Sequence, residues 1–238
     1  MENILEVKGV GKNFGGFTAL SDVNLSIRKG ERLGLIGPNG SGKTTLISCI
    51  SGALQNDGGT IHFNGESIET LPAYARTRRG IARSFQIPRP FHSMTVLENL
   101  MVPLAYVGGV SGAKARKQGL EILDEMGLSD KAENSSASLS QVELRKMELA
   151  RAMAAKPKLL ISDEAMAGLS GSEVDDVLDI LIKLNNQGIT IIMIEHIMHA
   201  VMRFSERIVC LDAGQIICDG DPKTVVGNSQ VQRAYLGD

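Results

Sequence analysis

Nine consecutive residues, Gly37, Pro38, Asn39, Gly40, Ser41, Gly42, Lys43, Thr44 and Thr45, read GPNGSGKTT. They fit the template of a glycine, four residues, then Gly-Lys-Thr. The flanks are those the template needs, a strand-like "ERLGLIG" before it and a helix-like Thr44 to Ser51 after it. Glycines in such a loop let successive backbone N–H groups curl around phosphates, and the helix N-terminus adds its partial positive charge. Lys43 would reach the β and γ phosphates, and the Thr44 hydroxyl would ligate magnesium.

Further along, "LLISDE" ends an apolar run with two adjacent carboxylates, Asp163 and Glu164. Alternation along a strand sends them in different directions. Asp163 would hold magnesium, often through water, and Glu164 would polarise an attacking water, work worth ~10²–10⁴-fold for a positioned base. Alone, an Asp-Glu pair at a strand end reads as a solvated turn; the phosphate loop upstream makes it chemistry. A second apolar run, "TIIMIEH", delivers His196 at its end, where a histidine of the same sheet can touch a γ-phosphate.

The elements that must position these groups follow from hydrophobic periodicity. "ILEVKGV" and "VNLSIRKG" alternate as two hairpin strands ahead of the strand that enters the loop, and "TIHFNG" is a strand ending in an Asn-Gly turn. From about Pro88 to Lys156 the spacing is helical, in "TVLENLMVPLAY", "GAKARKQGLEILDEMG" and "SLSQVELRKMELARAM". Past Pro157 strands and helices alternate again, which implies a parallel sheet with crossover helices. The expected fold is therefore α/β: a phosphate-loop nucleotide-triphosphatase core with a mainly parallel sheet, an N-terminal antiparallel β subdomain and an inserted α-helical subdomain.

Composition is that of an ordinary globular chain. The 238 residues are 43% hydrophobic, and Lys+Arg 25 nearly balances Asp+Glu 27, which argues against disorder and against a basic nucleic-acid footprint. Cys49, Cys210 and Cys218 lack metal-ligand spacing and are expected as reduced, buried thiols. Met193, Met198 and Met202 are expected in the core. The run "ARTRRGIARSF", with Arg76, Arg78, Arg79 and Arg83, is expected as a solvated face, with lipid or partner contact ahead of nucleic acid. There is no charged-then-apolar leader at Met1 and no apolar run approaching ~18 residues, so a membrane role is expected through a partner.

Taken in order, these residues resemble the ATP-binding subunits of ABC transporters, over essentially the whole chain. The resemblance implies one ATPase domain over 1–238, with a nucleotide-binding core at 1–87 and 157–238 and a helical subdomain at 88–156. It implies ATP and Mg2+ as ligands. The family's adenine-stacking aromatic maps onto Phe14 in "KNFGGFTAL", with Phe17 as the fallback. Its magnesium-sensing glutamine, which also couples to the membrane subunit, maps onto Gln86 in "RSFQIPRP", and its switch histidine onto His196. "AGLSGSE" from Ala167 matches the loop through which two nucleotide domains touch. "FGGFTAL", "RSFQIPRPFHSMTVLENL", "IEHIMHAVM" and the closing "QRAYLGD" look most like the branched-chain amino-acid importer branch.

The family's signature, Leu-Ser-Gly-Gly-Gln, here reads Leu139, Ser140, Gln141, Val142, Glu143. In such transporters each ATP lies between one chain's phosphate loop and the other chain's signature serine and helix N-terminus. Val142 obstructs close backbone approach and Glu143 adds negative charge, so both oppose phosphate binding. The same letters make a capping box, Ser140 with Glu143 three residues on, followed by helical spacing at Leu144, Met147, Ala150 and Met153. Two readings stand: a weakened signature, or one that works through Ser140 and the capped helix end. Ala165 replaces the usual proline and Ser162 an apolar residue, changes that could loosen Glu164.

Because each site borrows its signature from the opposite chain, these changes would not fall on this chain's own ATP. Since the resembled branch commonly uses two different ATPase subunits, a heterodimer with a second ATP-binding subunit is favoured over a homodimer. The resemblance further implies membrane-spanning permease subunits, a solute-binding protein met indirectly, and a peripheral place on the cytoplasmic face of the cell membrane. A nucleotide-gated regulatory or scaffold subunit that scarcely hydrolyses ATP is the alternative.

Overall fold

The computed structural model describes residues 2–236; Gly237 and Asp238, at the end of the "QRAYLGD" stretch, lie outside the described residues. The chain opens on a long hairpin, β1 (Asn3–Phe14) and β2 (Phe17–Arg28). It then enters β3 (Arg32–Ile36), the glycine-rich loop and α1 (Lys43–Ser51). Next come β4 (Gly58–Phe63), β5 (Glu66–Ser67), α2 (Ala73–Arg79) and β6 (Ile81–Ser84). Three helices follow, α3 (Val96–Tyr106), α4 (Gly112–Glu125) and α5 (Gln141–Ala154). The remainder alternates: β7 (Leu159–Asp163), α6 (Gly171–Asn186), β8 (Thr190–Ile194), α7 (Met198–Phe204), β9 (Arg207–Asp212), β10 (Gln215–Gly220), α8 (Pro222–Gly227) and α9 (Ser229–Leu236).

These strands make two sheets. One has order β2-β1-β4-β5 and is antiparallel throughout. The other has order β10-β9-β3-β8-β7-β6, parallel except where β10 returns along β9. The parallel strands are apolar on both faces, and β7 and β8 are buried at every residue, as expected of a sheet covered on both sides. The ends of β3, β7 and β8 stand side by side, with Leu35 opposite Ile194 and Ile194 opposite Asp163. That alignment brings the glycine-rich loop, the carboxylate pair and the segment after Ile194 to one edge of the sheet, outside the carboxyl ends of its strands.

The cysteines behave as small hydrophobes: Cys49 and Cys210 are buried and Cys218 half-buried, all as free thiols. Two expectations are corrected. Met193 is buried, but Met198 and Met202 are each 38% exposed, because α7 is a short helix that buries Ala200, Val201 and Phe204 instead. The arginine run is not one solvated face. Arg78 and Arg79 are exposed, but Arg76 is 1% exposed and donates to the carbonyls of Cys49, Ile50, Glu69 and Leu71. Its fork of N–H donors satisfies two carbonyls left over near the C-terminus of α1 and two of the segment that leads into α2. Arg83 lies on β6, the edge strand of the parallel sheet, and faces inward.

Candidate functional site

Gly37 and Gly42 are the loop positions where a side chain is excluded. Gly37 has φ 148° and a Cβ there would strike the carbonyl of Leu211; Gly42 has φ 106° and a Cβ would meet the carbonyl of Ala19. Gly42 is also the N-cap of α1, with no side chain capping it and no acid in the first turn, so the first N–H groups of α1 point at the loop unopposed. Lys43 is folded into the loop, its Nζ donating to Gly37 O at 2.7 Å and Pro38 O at 3.0 Å. Burial pushes the Lys43 ammonium below its ordinary pKa, and Glu164 and Asp163 work against that shift. Turning to a phosphate replaces neutral carbonyl acceptors by charged ones, which strengthens each bond.

One cavity of about 250 Å³ is lined by Asn39 to Thr45, Glu164, and both Phe14 and Phe17. The two rings are cross-strand partners at the tip of the first hairpin, exposed by 49% and 62%. Lys12 sits 5.6 Å from the Phe14 ring centre. The hairpin tip thus brings two aromatic rings to the cavity beside the loop.

The carboxylates diverge as alternation requires. Asp163, 6% exposed, takes Nη2 of Arg83 at 2.5 Å and Nε at 3.2 Å on the same oxygen, Oδ2. Glu164 leaves the strand in a left-handed conformation, φ 46°, with its N–H bonded to Ile194 O. Such a backbone is costly for a residue with a Cβ and persists where the surroundings dictate it. It turns the Glu164 side chain to the phosphate loop, where its Oε2 accepts a 2.5 Å hydrogen bond from the Gln86 amide. Thr44, Gln86 and Asp163 line a second, adjoining cavity. His196 lies just past β8 and is exposed; among the described residues its side chain makes no hydrogen bond to Glu164 or to the loop.

Ser140 is not part of this cluster. It is the N-cap of α5, and the capping box is complete: its hydroxyl accepts from Glu143 N–H at 3.4 Å while Glu143 Oε2 accepts from Ser140 N–H at 2.8 Å. The Glu143 carboxylate is held below its usual range chiefly by that backbone N–H, with Lys131 adding to it from 3.5 Å. Val142 is half-buried against the core. Gln141 packs on Gly168, so the start of α5 touches the loop after Glu164.

Among the described residues no cluster of three or more His, Cys, Asp or Glu could hold a metal by itself. Thr44, Asp163 and the Gln86 carbonyl are instead a sparse set of hard oxygen donors. That set suits Mg2+, which keeps several waters and shares its shell with phosphate oxygens. The residues fit the ion on those terms.

Arg83, expected on a solvated face, instead neutralises Asp163. Two further groups near the site were not singled out from the sequence. Tyr235 of α9 accepts the Gly37 N–H on its hydroxyl at 2.7 Å. Glu195, 2% exposed, accepts the Met166 N–H, and burial pushes its carboxyl up to about 7, with the Glu164 charge adding to the shift. The acidic letter between an apolar strand and His196 was the available signal for Glu195.

Residues 20–167 match a family model described as ABC transporter. The chain is 36% identical to the high-affinity branched-chain amino acid transport ATP-binding protein BraF of Pseudomonas aeruginosa, over 99% of this chain and 98% of that one. It is 35% identical, over the same shares, to the lipopolysaccharide export system ATP-binding protein LptB of Haemophilus influenzae. Its fold superposes on a crystal structure of a nucleotide-free ATP-binding cassette from an ABC transporter with a TM-score of 0.92, at 31% identity and full coverage of both chains.

Proposed function

The chain belongs to the ABC transporter family, as an ATPase whose hydrolysis is coupled to transport, and we propose that it powers import of branched-chain or related amino acids as one half of a heterodimer of ATP-binding subunits. The observation that carries the catalytic part is the Gln86–Glu164 hydrogen bond beside the phosphate loop. It holds a carboxylate, on a strained backbone, within the cavity that Lys43 and Thr44 line.

In this reading the N–H groups of Gly37 to Thr45 and the Lys43 ammonium bind the phosphates, and Phe14, or Phe17 across the same hairpin, stacks on adenine. Glu164 polarises the attacking water, Gln86 orients Glu164, and His196 approaches the γ-phosphate from the end of β8. Thr44, Asp163 and Gln86 would hold Mg2+, which supplies neutralisation of the β- and γ-phosphate charge. Asp163 brings one carboxylate oxygen tied to Arg83 and Oδ1 without that tie.

The heterodimer rests on Ser140 to Glu143. The Ser140 hydroxyl and N–H already serve the capping box, and Val142 stands where close approach of a phosphate needs glycine. This chain's loop, Glu164 and His196 complete a competent site when the partner supplies the signature. The partner to the membrane is a permease, received in an apolar groove of about 370 Å³ that Phe85, Phe91, Pro103 and Tyr106 line between residues 1–87 and the helical segment 88–156. No helix among the described residues is long and apolar enough to cross a membrane. The reading places the chain peripherally on the cytoplasmic face, with a solute-binding protein met through the permease. Similarity to BraF supports the solute assignment.

The test pairs Lys43→Ala with Glu164→Gln. Lys43→Ala should lose ATP binding in titration calorimetry, and Glu164→Gln should keep it while turnover in the assembled transporter falls by ~10² or more. Turnover within about tenfold of the parent for Glu164→Gln overturns the base assignment. Unchanged leucine uptake by cells lacking the chain overturns the solute. A regulatory subunit with little hydrolysis is the second reading, favoured by the occupied capping box, and predicts no loss of turnover from Glu164→Gln.

A further inference from the structure

Gln86 sits on a segment, Phe85 to Phe91, that crosses from β6 into the helical segment, and the far end of that segment is firmly anchored. Asn99 of α3, fully buried, accepts the Phe91 N–H at 2.8 Å and donates to Phe91 O at 3.2 Å, while Ser136 Oγ donates to the same carbonyl. The second anchor comes from α5. Arg151 Nη1 donates to the Arg89 carbonyl at 2.8 Å and to Glu148 Oε2 at 2.9 Å, and its guanidinium lies 5.2 Å from the Phe91 ring centre. Glu148, 6% exposed, lines the same cavity as Phe85. Arg151, braced by Glu148 on one helix face, thus holds the backbone just past Gln86.

Such a pair is expensive to bury: the desolvation of two charges is repaid only when geometry and additional hydrogen bonds are good. An apolar pair at these positions would cover the groove as well and would not hold the Arg89 carbonyl. Helical spacing puts Arg145 on the same face, and it donates to Ala167 O in the loop just after Glu164 at 3.2 Å. The helix that starts at Ser140 therefore touches the flanks of both members of the Gln86–Glu164 bond.

We propose that Glu148 and Arg151 are positioning residues that tie the Gln86 segment to α5 and so hold Gln86 in place for its hydrogen bond to Glu164. The proposal rests on the reading of Gln86 and Glu164 given above. It names which side chains fix the Gln86 segment beside the catalytic carboxylate. Arg145 is the corresponding contact on the Glu164 side.

The test compares Arg151→Gln and Glu148→Gln with the parent by hydrogen exchange, and follows turnover in the presence and absence of Gln86→Ala. Amide exchange over 85–91 should quicken by about tenfold or more, the value of a hydrogen bond to a charged group, while exchange in the phosphate loop stays within twofold. In the assembled transporter Arg151→Gln should lower kcat by about tenfold with KM for ATP within about twofold, and should lower it less than about twofold further when Gln86 is already Ala. Arg151→Lys, which keeps the charge but not the forked donor, carries the same comparison if Arg151→Gln does not fold. Unchanged exchange over 85–91 overturns the proposal. So does a kcat loss that persists in full on the Gln86→Ala background. Exchange needs no hydrolysis, so failure of the catalytic reading and failure of this one are told apart.

Discussion

Replacing Arg83 by Met isolates the ion pair that neutralises Asp163. The two side chains are 11% and 9% exposed, and both Arg83 nitrogens converge on a single carboxylate oxygen at 2.5 and 3.2 Å. At an effective dielectric of ~20 a contact of that length is worth about 5 kcal/mol, and removing one member of a buried pair typically costs about 3–5 kcal/mol because the other charge is stranded. Methionine returns part of this as apolar burial of the stem, so Arg83→Met should lose about 3 kcal/mol. For a chain of this length that lowers the melting temperature by roughly 6–12 °C. Urea unfolding of Arg83→Met, Asp163→Asn and the double variant closes the cycle. The double variant should be clearly more stable than the sum of the singles predicts, since no charge is left stranded. A loss under about 1 kcal/mol for Arg83→Met, the worth of an exposed pair, would refute the reasoning, as would strict additivity.

Further outcomes follow from neighbouring features. Val142→Gly gives up a half-buried side chain and some helix propensity, about 1–1.5 kcal/mol together, yet should raise turnover if residue 142 limits the signature; a melt and an ATPase assay on one preparation report both. Ser140→Ala removes the cap of α5 and should cost about 1 kcal/mol in urea unfolding. Glu195 gives a pH signature. Its carboxyl titrates near 4.5 when unfolded and at about 7 when folded, so between those values the folded chain keeps a proton that the unfolded chain releases, and stability falls as pH rises. The full loss above pH 7 is about 3 kcal/mol. Glu195→Gln should therefore raise the melting temperature more at pH 8 than at pH 5; an equal effect at both would contradict it.

The phosphate loop was legible because its geometry is local: glycines, a lysine and a threonine at fixed offsets specify the turn by themselves. The capping box at Ser140 and Glu143 was legible for the same reason, being a matter of spacing within one turn. Arg76 and Arg83 were not. Whether an arginine is solvated depends on which carbonyls and carboxylates the tertiary fold leaves unpaired, and α1 and β7, which supply them, are distant in sequence. Strand β6, with four residues, is too short to show alternation. Met198 and Met202 mark a similar limit, since a helix of two turns has no room for periodicity to separate its faces. Phe14 and Phe17 remain alternatives for a structural reason: the hairpin pairs them directly, and both line the same cavity.

The most direct measurement is the solution mass of Glu164→Gln, alone, with and without ATP and magnesium, by sedimentation equilibrium. That substitution slows hydrolysis and preserves the binding loop, so any dimer held together by ATP should persist. With Val142 and the occupied capping box at the start of α5, the predicted result is a chain that binds ATP and stays a monomer, forming the ATP-dependent dimer only when a second subunit with a glycine-bearing signature is added. An ATP-dependent dimer of this chain by itself would contradict the account, because it would mean that Leu139 to Glu143 grips a nucleotide across the interface.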